Sequence, residues 1–115
     1  MEQTVHFYPK GSLHLKKDAP GAKMWGVALE KTELTFFEVE PNSRFEWHRH
    51  ESEQITMVLE GALFFEMDDK TIQVEAGDVI AIPSNVLHAA YTKAKPVKAI
   101  DAWSPVLRNY PLNAE

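Results

Sequence analysis

Two histidines one residue apart, His48-Arg49-His50, are the first feature of this 115-residue chain that could do chemistry. Side chains alternate faces along a strand, so the two imidazoles share a face about 7 Å apart along the chain. Both can reach one metal ion, each nitrogen standing about 2.0–2.1 Å away if the ion is zinc. Four residues later Gln54 begins the next apolar run, and a tight connection through Glu51-Ser52-Glu53 brings its amide oxygen back beside the imidazoles. Glu53 competes for the same role and would better neutralise a cation, while a turn cap is the structural alternative for Gln54. Farther on, His88 shares a face with the small Ala90 and Thr92. Alone, such a histidine is a hydrogen-bonded core residue.

A carboxylate in an apolar row is the second feature. Val97, Ala99, Asp101 and Trp103 alternate along one run and fall on one strand face. If that face points inward, Asp101 is buried, which is costly unless it is hydrogen-bonded, paired or protonated. Such groups are candidate acid–base catalysts. If the face points outward, or an arginine pairs with it, Asp101 is structural. His6 and His14 lie apart from these residues and are expected on the surface. Glu46 is placed on the His48 face, Arg49 on the opposite one.

The elements that must position these residues read as strands. Turn chemistry at Glu40-Pro41-Asn42-Ser43, Met67-Asp68-Asp69-Lys70, Glu75-Ala76-Gly77-Asp78, Pro83-Ser84-Asn85 and Lys93-Ala94-Lys95-Pro96 separates short β-branched and apolar runs. The runs are 32–40, 44–50, 54–59, 62–67, 71–74, 79–82, 88–92 and 97–104. Helical periodicity is nowhere sustained, so an all-β sandwich or barrel is expected. In the first third, 4–8, 13–15 and 24–29 are interrupted by Gly11, Pro20 and Gly21 and predict edge strands over 1–33.

Length and a hydrophobic content of 44% fit one domain spanning 1–115. A net charge of −5 gives no general attraction to nucleic acid or anionic lipid, which leaves a small molecule as the expected partner. With no cysteine, any metal is held by nitrogen and oxygen. The N-terminus lacks the basic flank and apolar run of a secretory signal, and no stretch is long and apolar enough to span a bilayer. A cytoplasmic protein is expected by default.

Taken together, the motifs resemble those of the cupin superfamily. Its first motif runs glycine, five residues, His-x-His, three residues, an acidic or amide ligand, six residues, glycine; Asn42, His48, His50, Gln54 and Gly61 fit that spacing. Its second runs glycine, five residues, proline, one residue, glycine, two residues, histidine, matched by Gly77, Pro83, Asn85 and His88. Both departures replace glycine by asparagine, which best tolerates positive φ. The resemblance covers about 34–109 and implies a single jelly-roll barrel holding one divalent transition metal on His48, His50, Gln54 and His88. Nickel, zinc, iron, manganese or cobalt would suit those ligands.

Within that superfamily, Asp101-Ala102-Trp103-Ser104-Pro105 and the Glu53-Gln54 pair are similar to the pectin-degradation type proteins, which ketonise unsaturated uronates. The resemblance implies that Asp101, Trp103 and Arg108 line a substrate pocket, although Arg108 lies one residue beyond the usual position. It also implies homodimers, for which Phe7, Tyr8, Met24 and Trp25 offer apolar surface.

The neutral amide at position 54 leaves the full dipositive charge on the ion, which favours Lewis-acid polarisation. The expected function is a metal-dependent tautomerase or isomerase acting on a small sugar acid or keto compound. Asp101 would move the proton while Arg108 or Arg49 anchors a carboxylate. An iron-dependent dioxygenase and a non-catalytic binding module are the alternatives.

Overall fold

The computed structural model describes residues 4–107. Its strands are β1 (Lys16–Lys17), β2 (Ala22–Ala28), β3 (Glu33–Val39), β4 (Arg44–His48), β5 (Glu53–Glu60), β6 (Ala62–Glu66), β7 (Thr71–Glu75), β8 (Val79–Ile82), β9 (His88–Tyr91) and β10 (Val97–Ser104). They form a six-stranded antiparallel sheet in the order β1-β2-β3-β10-β5-β8 and a four-stranded one in the order β4-β9-β6-β7. No helix forms among the described residues. The two sheets enclose one core, as expected of a jelly-roll barrel.

Alternation builds that core. On β5, Gln54, Thr56 and Val58 are buried while Ile55, Met57 and Leu59 face out. On β10 the inward face is Val97, Ala99, Asp101 and Trp103, all nearly fully buried. Met24, Phe37, Val39, Leu63, Phe65, Val74, Ile80 and Ile82 fill the space between the sheets. Each large apolar side chain so buried contributes about 1.5–3 kcal/mol.

Every run expected between residues 32 and 104 overlaps a strand. The first third differs. The run at 24–29 lies within β2, an interior strand between β1 and β3 that buries Ala22, Met24 and Gly26. Of the other two, 13–15 gives way to the two-residue edge strand β1, and 4–8 forms no strand. β2 pairs along its full length with β3, and on its other side β1 covers it at Lys23 and Met24, leaving the rest of that side at the sheet edge. Thr4–Tyr8 has no such partner, and Val5 and Phe7 remain exposed.

Three turns carry the backbone conformations that their residues imply. Asn42 and Asn85 adopt φ of 57° and 65°. Gly61 sits at 79°, where an added Cβ would come within 2.4 Å of the Pro96 carbonyl oxygen.

The outer face of the larger sheet is unusually apolar. Register places Val27, Leu34, Ala102, Ile55 and Ala81 in one cross-strand row, and Trp25, Phe36, Ile100, Met57 and Val79 in the next. A third row alternates Lys23, Glu38, Lys98 and Glu60. Met24, expected to offer apolar surface with Trp25, lies instead fully inside the barrel because it sits one residue out of phase with that face.

Candidate metal centre

β4 does not pair evenly with β9. Phe45 pairs with Ala90 and His48 with His88, so three residues of β4 span two of β9. This bulge lets both Phe45 and His48 line one cavity, although His48 stays exposed. Strict alternation would have turned one of them away. It also corrects the placing of Glu46 on the His48 face: Glu46 points to solvent and pairs with Arg44.

The strand ends at His48, so His50 does not sit on it as the sequence pattern suggests. It lies in the following connection, whose backbone is held by Asn85, the amide donating to the His50 carbonyl at 2.8 Å. The ring still converges with the others. His48 and His88 centroids are 4.4 Å apart, His50 and His88 5.2 Å, and His48 and His50 5.5 Å. One ligand atom from each lies within 4.8 Å of the others.

All three rings are oriented alike. Nδ1 of His48 meets the Glu46 carbonyl at 2.7 Å, that of His50 the Ser52 carbonyl at 2.8 Å, and that of His88 the Val86 carbonyl at 2.8 Å. A carbonyl only accepts, so each Nδ1 carries the proton and each neutral ring keeps a lone pair on Nε2. Burial, the largest effect, and the proximity of His48 and His50 lower the His88 pKa from its usual value, against the opposing hydrogen bond to the Val86 carbonyl.

Gln54 faces inward and Glu53 outward, so it is Gln54 that joins the histidines. Its Oε1 stands 3.1 Å from Nε2 of His50. With the His50 proton already on Nδ1, the contact brings two lone pairs face to face, an arrangement that a shared cation stabilises. The separation fits two donors that each stand about 2.1 Å from one ion. His48, His50, Gln54 and His88 therefore fit a divalent transition metal by donor type and orientation.

Behind Gln54 runs a buried hydrogen-bond chain. Its Nε2 donates to Thr56 Oγ1 at 2.9 Å, and Thr56 donates in turn to Asp101 Oδ1. Trp103 Nε1 donates to Thr35 Oγ1 at 2.8 Å, and Thr35 donates to Asp101 Oδ2 at 3.2 Å. Burial raises Asp101 to about 7, against opposing hydrogen bonds from Thr56, Thr35 and Gln54. A carboxyl so poised can both take and give a proton near neutral pH.

Asp101, Gln54, His48 and His88 line a cavity of about 60 Å³ walled by Phe37, Phe45, Leu63, Phe65 and Trp103 among others. Of the residues anticipated for a pocket, Asp101 and Trp103 thus come together with the histidine cluster, and the Trp103 ring stands edge-on to His50 at 5.3 Å. Arg49 is exposed, and Arg108 lies outside the described residues. Two residues escaped sequence reasoning, Thr35 and Thr56. Alternation alone places Thr56 beside Gln54, but only the fold brings β3 and β5 to either side of β10.

The domain model described as the Cupin domain matches residues 35–103. The chain belongs to the cupin family. Its relatives include an acireductone dioxygenase from Heterostelium pallidum, 35% identical over 75 residues, covering 60% of this chain and 51% of that protein. This cupin spans about half the length of that curated relative. Among solved structures, KdgF from a Halomonas species superposes with a TM-score of 0.84 at 22% identity, covering 92% of this chain and 98% of that one. An RmlC-like cupin from Shewanella frigidimarina gives 0.85 at 21% identity, covering 96% and 100%. At those identities the likeness shows the cupin fold.

Proposed function

We propose that this cupin is a metal-dependent tautomerase or isomerase that moves a proton on a small sugar acid or related keto compound. The observation that carries the reading is Asp101, a buried carboxyl raised to about 7 that lines the same cavity as His48, Gln54 and His88. A divalent ion held by His48, His50, Gln54 and His88 supplies Lewis-acid polarisation of a carbonyl or enol oxygen when bound. Asp101 takes the proton from one carbon or delivers it to its neighbour, while Thr35 and Thr56 hold both carboxyl oxygens in place. The C-terminal motif with Asp101 and Trp103 supports unsaturated uronates as the first substrates to try.

The test is an absorbance assay on 4,5-unsaturated uronates with metal-loaded protein. Turnover is expected in wild type, and Asp101→Asn should lower it by about 10²–10⁴-fold, the usual scale of a lost general acid–base. Absence of turnover across uronates and related keto acids overturns the reading. The acireductone dioxygenase relative supports a second reading, oxygen-dependent cleavage. Oxygen uptake by the Fe(II)-loaded protein separates the two, since proton transfer consumes none.

We propose further that the chain pairs with a second copy through the outer face of its larger sheet. The two apolar rows cover a footprint of about 330 Å² at ordinary strand spacings, the size of a large patch on a monomer and less than half of what each partner buries in a standard interface. Leu34, Ile55, Met57 and Val79 are each 39–54% exposed in the single chain. The flanking row fits itself. A two-fold axis running between β3 and β10 lays Lys23 over Glu60 of the other copy and Glu38 over Lys98 of the other copy.

A further inference from the structure

A glutamine ligand has a weakness that a glutamate lacks. Its amide has two ends of nearly equal shape, an oxygen that accepts and a nitrogen that donates, and only the oxygen can hold a cation. Rotating the amide by half a turn would aim N–H groups at the ion. Something must set the amide's direction, and packing alone cannot tell the two ends apart.

We infer that Thr56 is a positioning residue that fixes this direction, anchored by Asp101; the inference rests on the metal-centre reading. The direction follows from counting protons. With Asp101 ionised, Thr56 gives its one hydroxyl proton to Asp101 Oδ1, so toward Gln54 its oxygen can only accept. Gln54 must therefore turn its Nε2 to Thr56, at 2.9 Å, the same end that donates to Asp101, and its Oε1 to His50, at 3.1 Å.

The other side of the chain closes the same way. The Trp103 indole only donates, so Thr35, which accepts from it, passes its own proton to Asp101 Oδ2. Both threonines point their protons at the carboxyl, and the polarity of the whole chain ends there. Every member is at least nine-tenths buried, Gln54 being the most exposed at 7%. Water does not compete for these bonds, and a reversed amide would leave Thr56 and Gln54 with oxygens facing each other unless the threonine gave up its bond to Asp101.

The experiment is a chelator-competition titration of metal-free protein with Zn²⁺ and Ni²⁺. Thr56→Val keeps the shape and removes the hydroxyl; it should weaken binding about 10–100-fold, the usual effect of losing a group that orients a ligand. Thr56→Ser, which retains the hydroxyl, should restore wild-type affinity. The deciding comparison uses Gln54→Glu. A carboxylate presents an oxygen whichever way it turns, so Thr56→Val should cost little affinity in the Gln54→Glu background. If Thr56→Val fails to fold, Thr56→Ala takes its place in both backgrounds. Equal loss with glutamine and with glutamate, or unchanged affinity in Thr56→Val, overturns the inference. Failure of wild type to bind either metal instead overturns the metal-centre reading on which it rests.

Discussion

Asp101 makes metal-free protein sensitive to pH in a direction opposite to that of ordinary carboxylates. Burial raises its pKa from 3.8 to about 7 in the folded chain. In the unfolded chain the group is solvated and releases its proton near 3.8. Between those values folding takes up a proton, so unfolding becomes easier as pH rises. The stabilisation is fully present below the unfolded value and is lost as pH climbs through the folded one. A difference of about three pH units at about 1.4 kcal/mol each comes to about 4 kcal/mol. Asp101→Asn removes the titration and provides the reference. Glu33 and Asp18 are also raised by burial, but they are common to both proteins and cancel in the comparison. The assay is urea unfolding of both metal-free proteins at intervals from about pH 4 to 8. Wild type should lose about 4 kcal/mol relative to Asp101→Asn across that range, a midpoint shift of about 2 M urea at ordinary slopes. Stability curves that run parallel in pH would refute the reasoning, because they would mean that Asp101 titrates alike in both states.

Removing metal should also destabilise the fold. At a free-ion concentration of about a thousand times Kd, the ion contributes about 4 kcal/mol, so excess chelator should lower Tm by about 15–30 °C in a domain of this size. An unchanged Tm would mean that the histidine cluster holds no ion. For the outer sheet face, Ile55→Lys or Met57→Glu places a charge in the middle of the apolar rows. Light scattering on a sizing column should show a dimer in wild type and a monomer in either variant, with the His-cluster metal affinity unchanged. A monomeric wild type at micromolar concentration sinks the pairing proposal.

The strand pattern from residue 32 to 104 was legible because turns and alternation recur at short range, and both are local properties of sequence. The same alternation turned Gln54, Asp101 and Trp103 inward. It misled at β4, where a bulge lets Phe45 and His48 share a side and turns Glu46 out. A bulge depends on how the partner strand pairs, so no local period reveals it. Thr35 and Thr56 were silent for a related reason: they lie on strands separated by long stretches of chain and meet only across β10. β2 reads as an edge because nothing in its own composition says that β1 covers its first residues.

The carbonyls that orient His48, His50 and His88 belong to the main chain of Glu46, Ser52 and Val86, two residues from each ring. Main-chain oxygens survive every substitution. Exposed Glu46 can thus change identity over generations while the His48 imidazole keeps its aim, whereas Ser52, buried and bonded to the Pro105 carbonyl, and Val86, packed on the core, are held by their own side chains as well.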